Sequence, residues 1–124
     1  MPVASEQQSA ITRRMDPTSL RRAVVVEVGV RQAWPFLAFA WSSGDRECRL
    51  YIDTTFRLGS EDNDHGDAER AAAALLDLNN RTVIEAAADD ESRLTVRFAR
   101  DRLLVVEGTP AAFTTQDVWW FGQP

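Results

Sequence analysis

The stretch Glu47 to Leu58, ECRLYIDTTFRL, decides the fold. Its even positions are Cys48, Leu50, Ile52, Thr54, Phe56 and Leu58; its odd positions are Glu47, Arg49, Tyr51, Asp53, Thr55 and Arg57. Successive side chains of a strand point to opposite faces, so this alternation predicts one long strand with a buried face and a wet face. Such a strand needs a partner along each edge and a cover over its apolar side, and the flanking sequence offers both.

Upstream, Val24, Val25, Val26, Val28 and Val30 are β-branched and favour a strand. The run Trp34 to Trp41 (WPFLAFAW) is apolar on both faces and predicts an interior strand, with Pro35 at its start, where a missing N–H is tolerated. Ser43-Gly44-Asp45 is turn chemistry joining that strand to the long one. The three strands make a meander.

Downstream, Gly59 to Gly66 (GSEDNDHG) reads as a polar, acidic loop. From Asp67 the spacing changes to helical intervals at Ala68, Ala71, Ala72, Leu75 and Leu76. Asp64 or Asp67 can cap this short helix, and Asn79-Asn80 can stop it. The chain then repeats its opening: Arg81-Thr82-Val83-Ile84 is similar to Arg22-Ala23-Val24-Val25. Arg93 to Ala99 alternates, Ala99 to Arg102 turns, and Leu103 to Glu107 returns as a second meander. After a loop, Asp117 to Phe121 is too aromatic to leave in water and reads as an edge strand. The expectation is an α+β fold: a mainly antiparallel, six- to seven-stranded curled sheet of two β-meanders with one short helix between them. Residues 1–20 read as a flexible arm closing with one helical turn near Pro17 to Leu20, and 21–124 as a single domain.

The 124 residues suit one domain. All 14 basic residues are arginine, as GC-rich codon usage would produce, and the net charge of −5 argues against a general nucleic-acid binder. The single Cys48 excludes an internal disulfide and any thiolate metal cage, and its place on the apolar side of the long strand makes it a small hydrophobe. The first twenty residues lack the apolar run of a secretory signal, and no stretch approaches a membrane span. A cytoplasmic protein without membrane contact is expected.

The chemistry-bearing residues are sparse. His65 lies among Asp62, Asp64 and Asp67, which makes Asp62, Asp64 and His65 weak metal candidates, but the calcium-loop template puts Ala72 where a bidentate Glu belongs. A solvated loop of capping acids is the stronger reading, and no metal or cofactor is expected. Ser42-Ser43-Gly44 lacks the nucleophile elbow, and no phosphate loop or dinucleotide fingerprint is present. No catalytic residue emerges. Arg93 and Arg97 share one side of their strand, with Arg100 and Arg102 at the adjoining turn; the plain reading is a wet strand face paired to nearby Asp and Glu, and the sharper one is a positive patch for a charged protein partner. Adjacent Trp119 and Trp120 must point to opposite faces of their strand, so one of them covers a second surface, either as an interface anchor, where tryptophan is enriched, or by simple packing under the N-terminal arm.

From Leu50 onward the order of features resembles a family of small proteins from GC-rich bacteria. The residues that carry the resemblance are Leu50 to Leu58 (LYIDTTFRL), Leu75 to Val83 (LLDLNNRTV), Leu94 to Phe98 (LTVRF), Leu104-Val105-Val106, and Trp119 or Trp120. The chain departs from that family at Arg100-Asp101-Arg102, where a glycine-bearing turn is expected. The resemblance implies no established activity; some similar small acidic proteins are immunity partners of toxins.

Two functions are carried forward. The first is a non-enzymatic protein-binding module, immunity- or antitoxin-like, with a protein partner or a second copy engaging Trp119, Trp120, Arg93, Arg97, Arg100 and Arg102. The alternative is a carrier of small apolar ligands in a groove between sheet and helix, lined by Trp34, Phe36, Trp41 and Phe98.

Overall fold

The computed structural model describes residues 15–42, 44 and 46–123. Residues 1–14 of the expected arm, and Ser43 and Asp45 of the expected turn, lie outside the described residues. The remainder of the arm is built into the fold. Pro17–Leu20 forms a 3-10 turn capped by Asp16, whose carboxylate accepts from Thr18 N, and Leu20 is fully buried.

The strands are β1 (Val24–Arg31), β2 (Trp34–Ala40), β3 (Glu47–Ile52), β4 (Phe56–Leu58), β5 (Glu61–Asn63), β6 (Val83–Ala88), β7 (Leu94–Phe98), β8 (Arg102–Val106) and β9 (Trp119–Gly122). One helix, α1 (Ala68–Leu75), runs on into a 3-10 turn at Leu76–Leu78. The α+β class and the two antiparallel meanders hold, but the single curled sheet does not. There are two sheets, ordered β1-β2-β3-β9 and β5-β4-β8-β7-β6.

The physical reason lies in the long strand. Its apolar positions keep their alternation from Cys48 to Leu58, yet at Asp53-Thr54-Thr55 the chain leaves one sheet and enters the other. Strands that switch sheets make the corners of two-layer β folds. The buried Asp53 and Thr54 stabilise this corner. The Asp53 carboxylate accepts from Thr115 N (2.8 Å) and Gln116 N (3.0 Å), and Thr54 Oγ1 donates to Thr109 O (2.7 Å). The loop that leads into β9 is thereby tied to the point where the sheets part.

The acidic loop is also partly a strand. Gly59 (φ 64°) turns the chain tightly, and Glu61–Asn63 folds back on β4 with Asp62 opposite Arg57. The helix follows the expected pattern: Asp67 is its N-cap, accepting from Glu69 N and Arg70 N, and it buries Ala71 and Leu75, while Leu76 is exposed. It closes one end of the inter-sheet core against β1 and β2.

The internal repeat is visible in the backbone, one residue out of the register suggested by the sequence. Leu20 corresponds to Leu78, Arg22 (φ 74°) to Asn80 (φ 70°), and the bulge between Val25 and Glu27 to that between Val83 and Glu85. The two copies meet at a Val24–Thr82 bridge, flanked by bonds from Arg22 N to Val83 O (2.9 Å) and Val25 N to Arg81 O (3.0 Å). One core, contributed by Leu37, Phe39, Leu50, Ile52, Val96, Phe98, Leu104, Phe121 and their neighbours, lies between the sheets.

Candidate functional site

The outward side of the four-stranded sheet carries a second apolar cluster: Phe36, Ala38 and Tyr51, with Trp34 and Trp120 packed against them. Strand register builds it. Phe36 pairs with Gly29 on one side and Tyr51 on the other, and Tyr51 pairs with Trp120, so one row crosses all four strands. Tyr51 and Trp120 stack at 5.4 Å, Phe36 and Tyr51 are tilted at 5.7 Å, and Trp34 meets Trp120 edge-on at 5.1 Å. These separations are the ones aromatic pairs prefer. Glycine gives two of the rings their seats: a Cβ on Gly29 would come within 3.0 Å of Phe36, and one on Gly122 within 3.0 Å of Tyr51. Phe36 and Tyr51 are buried by this mutual packing, and Trp34 and Trp120 are half-buried.

Arg49 is the polar centre of the face. Its guanidinium lies 4.3 Å from the centre of the Phe36 ring, donates from Nη1 to Tyr51 Oη (3.4 Å), and pairs with Glu27 at 3.7 Å. The hydrogen bond to Tyr51 raises its pKa above the ordinary arginine value, so the cation over the ring is permanent. Two buried donors on this face, Trp34 Nε1 and Arg49 Nε, find no acceptor among the described residues. A buried donor without an acceptor costs about 1–3 kcal/mol.

The residues singled out from the sequence fall into separate places. Trp119 and Trp120 do point apart: Trp120 joins the outer cluster, and Trp119 packs on the inter-sheet core, its Nε1 donating to Ser92 O (2.7 Å). The arginine patch is largely neutralised. Arg93 pairs with Glu107 (3.2 Å), Arg97 with Glu85 (3.1 Å) and Arg102 with Asp77 (2.7 Å). Arg100 and Asp101 lie in the three-residue loop of the β7–β8 hairpin, both with positive φ (69° and 61°), so the chain turns there through left-handed conformations without glycine.

The proposed ligand groove is not assembled. Trp34 and Phe36 lie on the outer face of the sheet and Phe98 lies in the core on its other side. Trp41 sits at the end of β2, where its Nε1 donates to Ser19 O (3.0 Å). The reason is the alternation of β2 itself, which sends Phe36 and Leu37 to opposite faces. Where helix and sheet do meet, beside Ile52, Phe56 and Ala71, the cavity measures about 20 Å³, room for one water.

Of the metal candidates, Asp62 is engaged by Arg57 (2.9 Å), and His65 Nδ1 accepts from Asp67 N (3.2 Å). Among the described residues, no three His, Cys, Asp or Glu side chains converge as a metal site. No helix there is long and apolar enough to cross a membrane.

Tyr51 and Arg49 were missed from the sequence because the alternation of the long strand places both on its wet side. The available signal was that the neighbouring strand is apolar on both faces, which requires an aromatic partner outside the core. No protein-family model matches the chain, and no curated protein or solved structure is significantly similar to it.

Proposed function

We propose that this protein is a non-enzymatic binding module that docks a protein partner on the outer face of its four-stranded sheet, in the manner of an immunity or antitoxin-like factor. One observation carries the reading: a single outer face gathers aromatic rings around Arg49, with Trp34 and Trp120 only half-buried. Half-buried tryptophans around an arginine are the composition of interface anchors. The resemblance of Leu50 to Leu58 and the segments after it to small bacterial proteins adds an analogy of size and architecture.

The partner is sought by co-expressing the chain with the products of adjacent genes and measuring affinity for any that co-purifies. Trp34→Ala or Trp120→Ala should weaken that complex by about 30-fold or more, the effect of losing a hot-spot tryptophan. Arg97→Ala, on the opposite outer face, should change it by less than about 3-fold. Face variants that bind as tightly as the natural chain would remove the reading.

A further inference from the structure

The two sheets have four edges, and three of them are protected. The β1 edge is bulged between Val25 and Glu27, carries Glu27 and Arg31, and is partly bonded to residues 80–82. The β5 edge is Glu61-Asp62-Asn63, short and acidic. The β6 edge is bulged between Val83 and Glu85 and packed against by the 3-10 turn at Pro17–Leu20. Bulges, charges and covering segments are the devices that keep edge strands from pairing with other chains.

The fourth edge, β9, has none of them among the described residues. Residues 118–123 read Val-Trp-Trp-Phe-Gly-Gln, without charge, proline or bulge, and among the described residues no strand lies on the far side of β9. Its open backbone groups can be assigned. Asp53 N donates to Val118 O (2.8 Å), one step beyond the Ile52–Trp119 pair. Bonded and non-bonded pairs alternate in an antiparallel ladder, so Val118, Trp120 and Gly122 turn their N–H and C=O groups toward β3. Trp119 and Phe121, with Gln123 next in the series, turn theirs to the open side.

We propose that β9 pairs antiparallel with β9 of a second copy of this chain, joining two four-stranded sheets into one of eight strands. An antiparallel edge is self-complementary about a two-fold axis, as a closed dimer requires. With Phe121 on the axis, Trp119 faces Gln123 of the second copy, and every open N–H and C=O of the three edge residues is used. In that register Trp120 stands opposite Gly122 of the second copy, on the aromatic face, so its ring meets a position without a side chain. No like charges are brought together, because the paired segment carries none. The two outer faces, each with its row Gly29–Phe36–Tyr51–Trp120, then lie side by side on one continuous sheet.

This pairing goes beyond the docking reading and is tested apart from it. Light scattering and sedimentation equilibrium on the full chain should give a mass rising with concentration toward twice 13.9 kDa. Gln123→Pro removes one open-side N–H at an exposed position, away from core and aromatic face, and should return the mass to that of one chain. Trp34→Ala should leave the dimer intact. In a mixture of differently labelled copies, intermolecular nuclear Overhauser contacts should be confined to residues 118–123. A single-chain mass at every concentration, or a dimer that survives Gln123→Pro, overturns the pairing. A single-chain mass together with partner binding lost in Trp34→Ala overturns the pairing alone; a dimer whose Trp34→Ala variant keeps its partner overturns the docking reading alone.

Discussion

The two outer faces of this molecule are built on the same β geometry and solve opposite problems. On the five-stranded sheet the outward residues form ion pairs, Arg57 with Asp62, Arg97 with Glu85 and Arg93 with Glu107, all substantially exposed. On the four-stranded sheet the outward residues form a ring cluster seated over glycines, with one arginine laid on it. The first face is finished: its charges are satisfied and water covers the rest. The second behaves as a small second core, with Phe36 and Tyr51 buried, Trp34 and Trp120 half-buried, and two buried donors that find no acceptor among the described residues. Charge that looks like a docking patch in a list of arginines is neutralised by register, whereas Trp34 and Trp120 on the other outer face keep part of their surface open.

That contrast can be broken most sharply at Tyr51. Tyr51→Ala removes a buried ring from the centre of the aromatic row and should cost about 3–5 kcal/mol, the range for deleting a buried aromatic, read from urea denaturation. A cost under about 1 kcal/mol would mean the row is ordinary surface. Asp53→Ala probes the corner that separates the faces. Losing the acceptor of Thr115 N and Gln116 N should cost about 2–3 kcal/mol and raise amide exchange through residues 109–118.

The hairpin tip of the charged face has the opposite sign. Replacing Arg100-Asp101 with Asn-Gly supplies residues suited to two positive φ values and should stabilise by about 1 kcal/mol, seen as a higher melting temperature. Smallest of all is Glu85→Gln. Its pair with Arg97 is screened by solvent, so the change should stay below about 1 kcal/mol and vanish in high salt.

Cys48 gives a pH handle on the side of β3 opposite Arg49 and Tyr51. Burial pushes its thiol up to about 11, with Arg46 opposing weakly. A raised folded-state pKa contributes stability that is complete below the unfolded value near 9 and is lost as pH climbs through 11. Thiol reagents should therefore leave the folded chain unmodified at neutral pH, and stability should decline only on the alkaline side. Rapid labelling at pH 7 would place Cys48 outside the core.

Much of the fold was legible because periodicity is local. The β-branched run before Val30, the two-faced apolar strand Trp34 to Ala40, the Asp67-capped helix and the aromatic edge strand near Trp119 can each be read from residues a few positions apart. The single-sheet expectation failed at Asp53-Thr54-Thr55, where alternation continues although the chain changes sheets; nothing within those three residues reports that Thr109, Thr115 and Gln116 will hold the corner. The candidate site was half legible. Trp34, Phe36 and Trp120 were in view, but Phe98 and Trp41 were grouped with two of them because a list of aromatics does not say which side of a sheet each one takes.

The chain's own pattern of polar and apolar residues determined that it would be α+β, that its strands would run antiparallel in two meanders, and that Trp119 and Trp120 would part company across a strand. These follow from the two-residue repeat and from turn chemistry, which act over a few bonds. Only the tertiary structure decided that the long strand would turn a corner, which acid each arginine would meet, and that Tyr51 would lie between Phe36 and Trp120 in a row on the outer side of the sheet. Those outcomes depend on register between strands far apart in the chain, and register is set by the packing of the whole core.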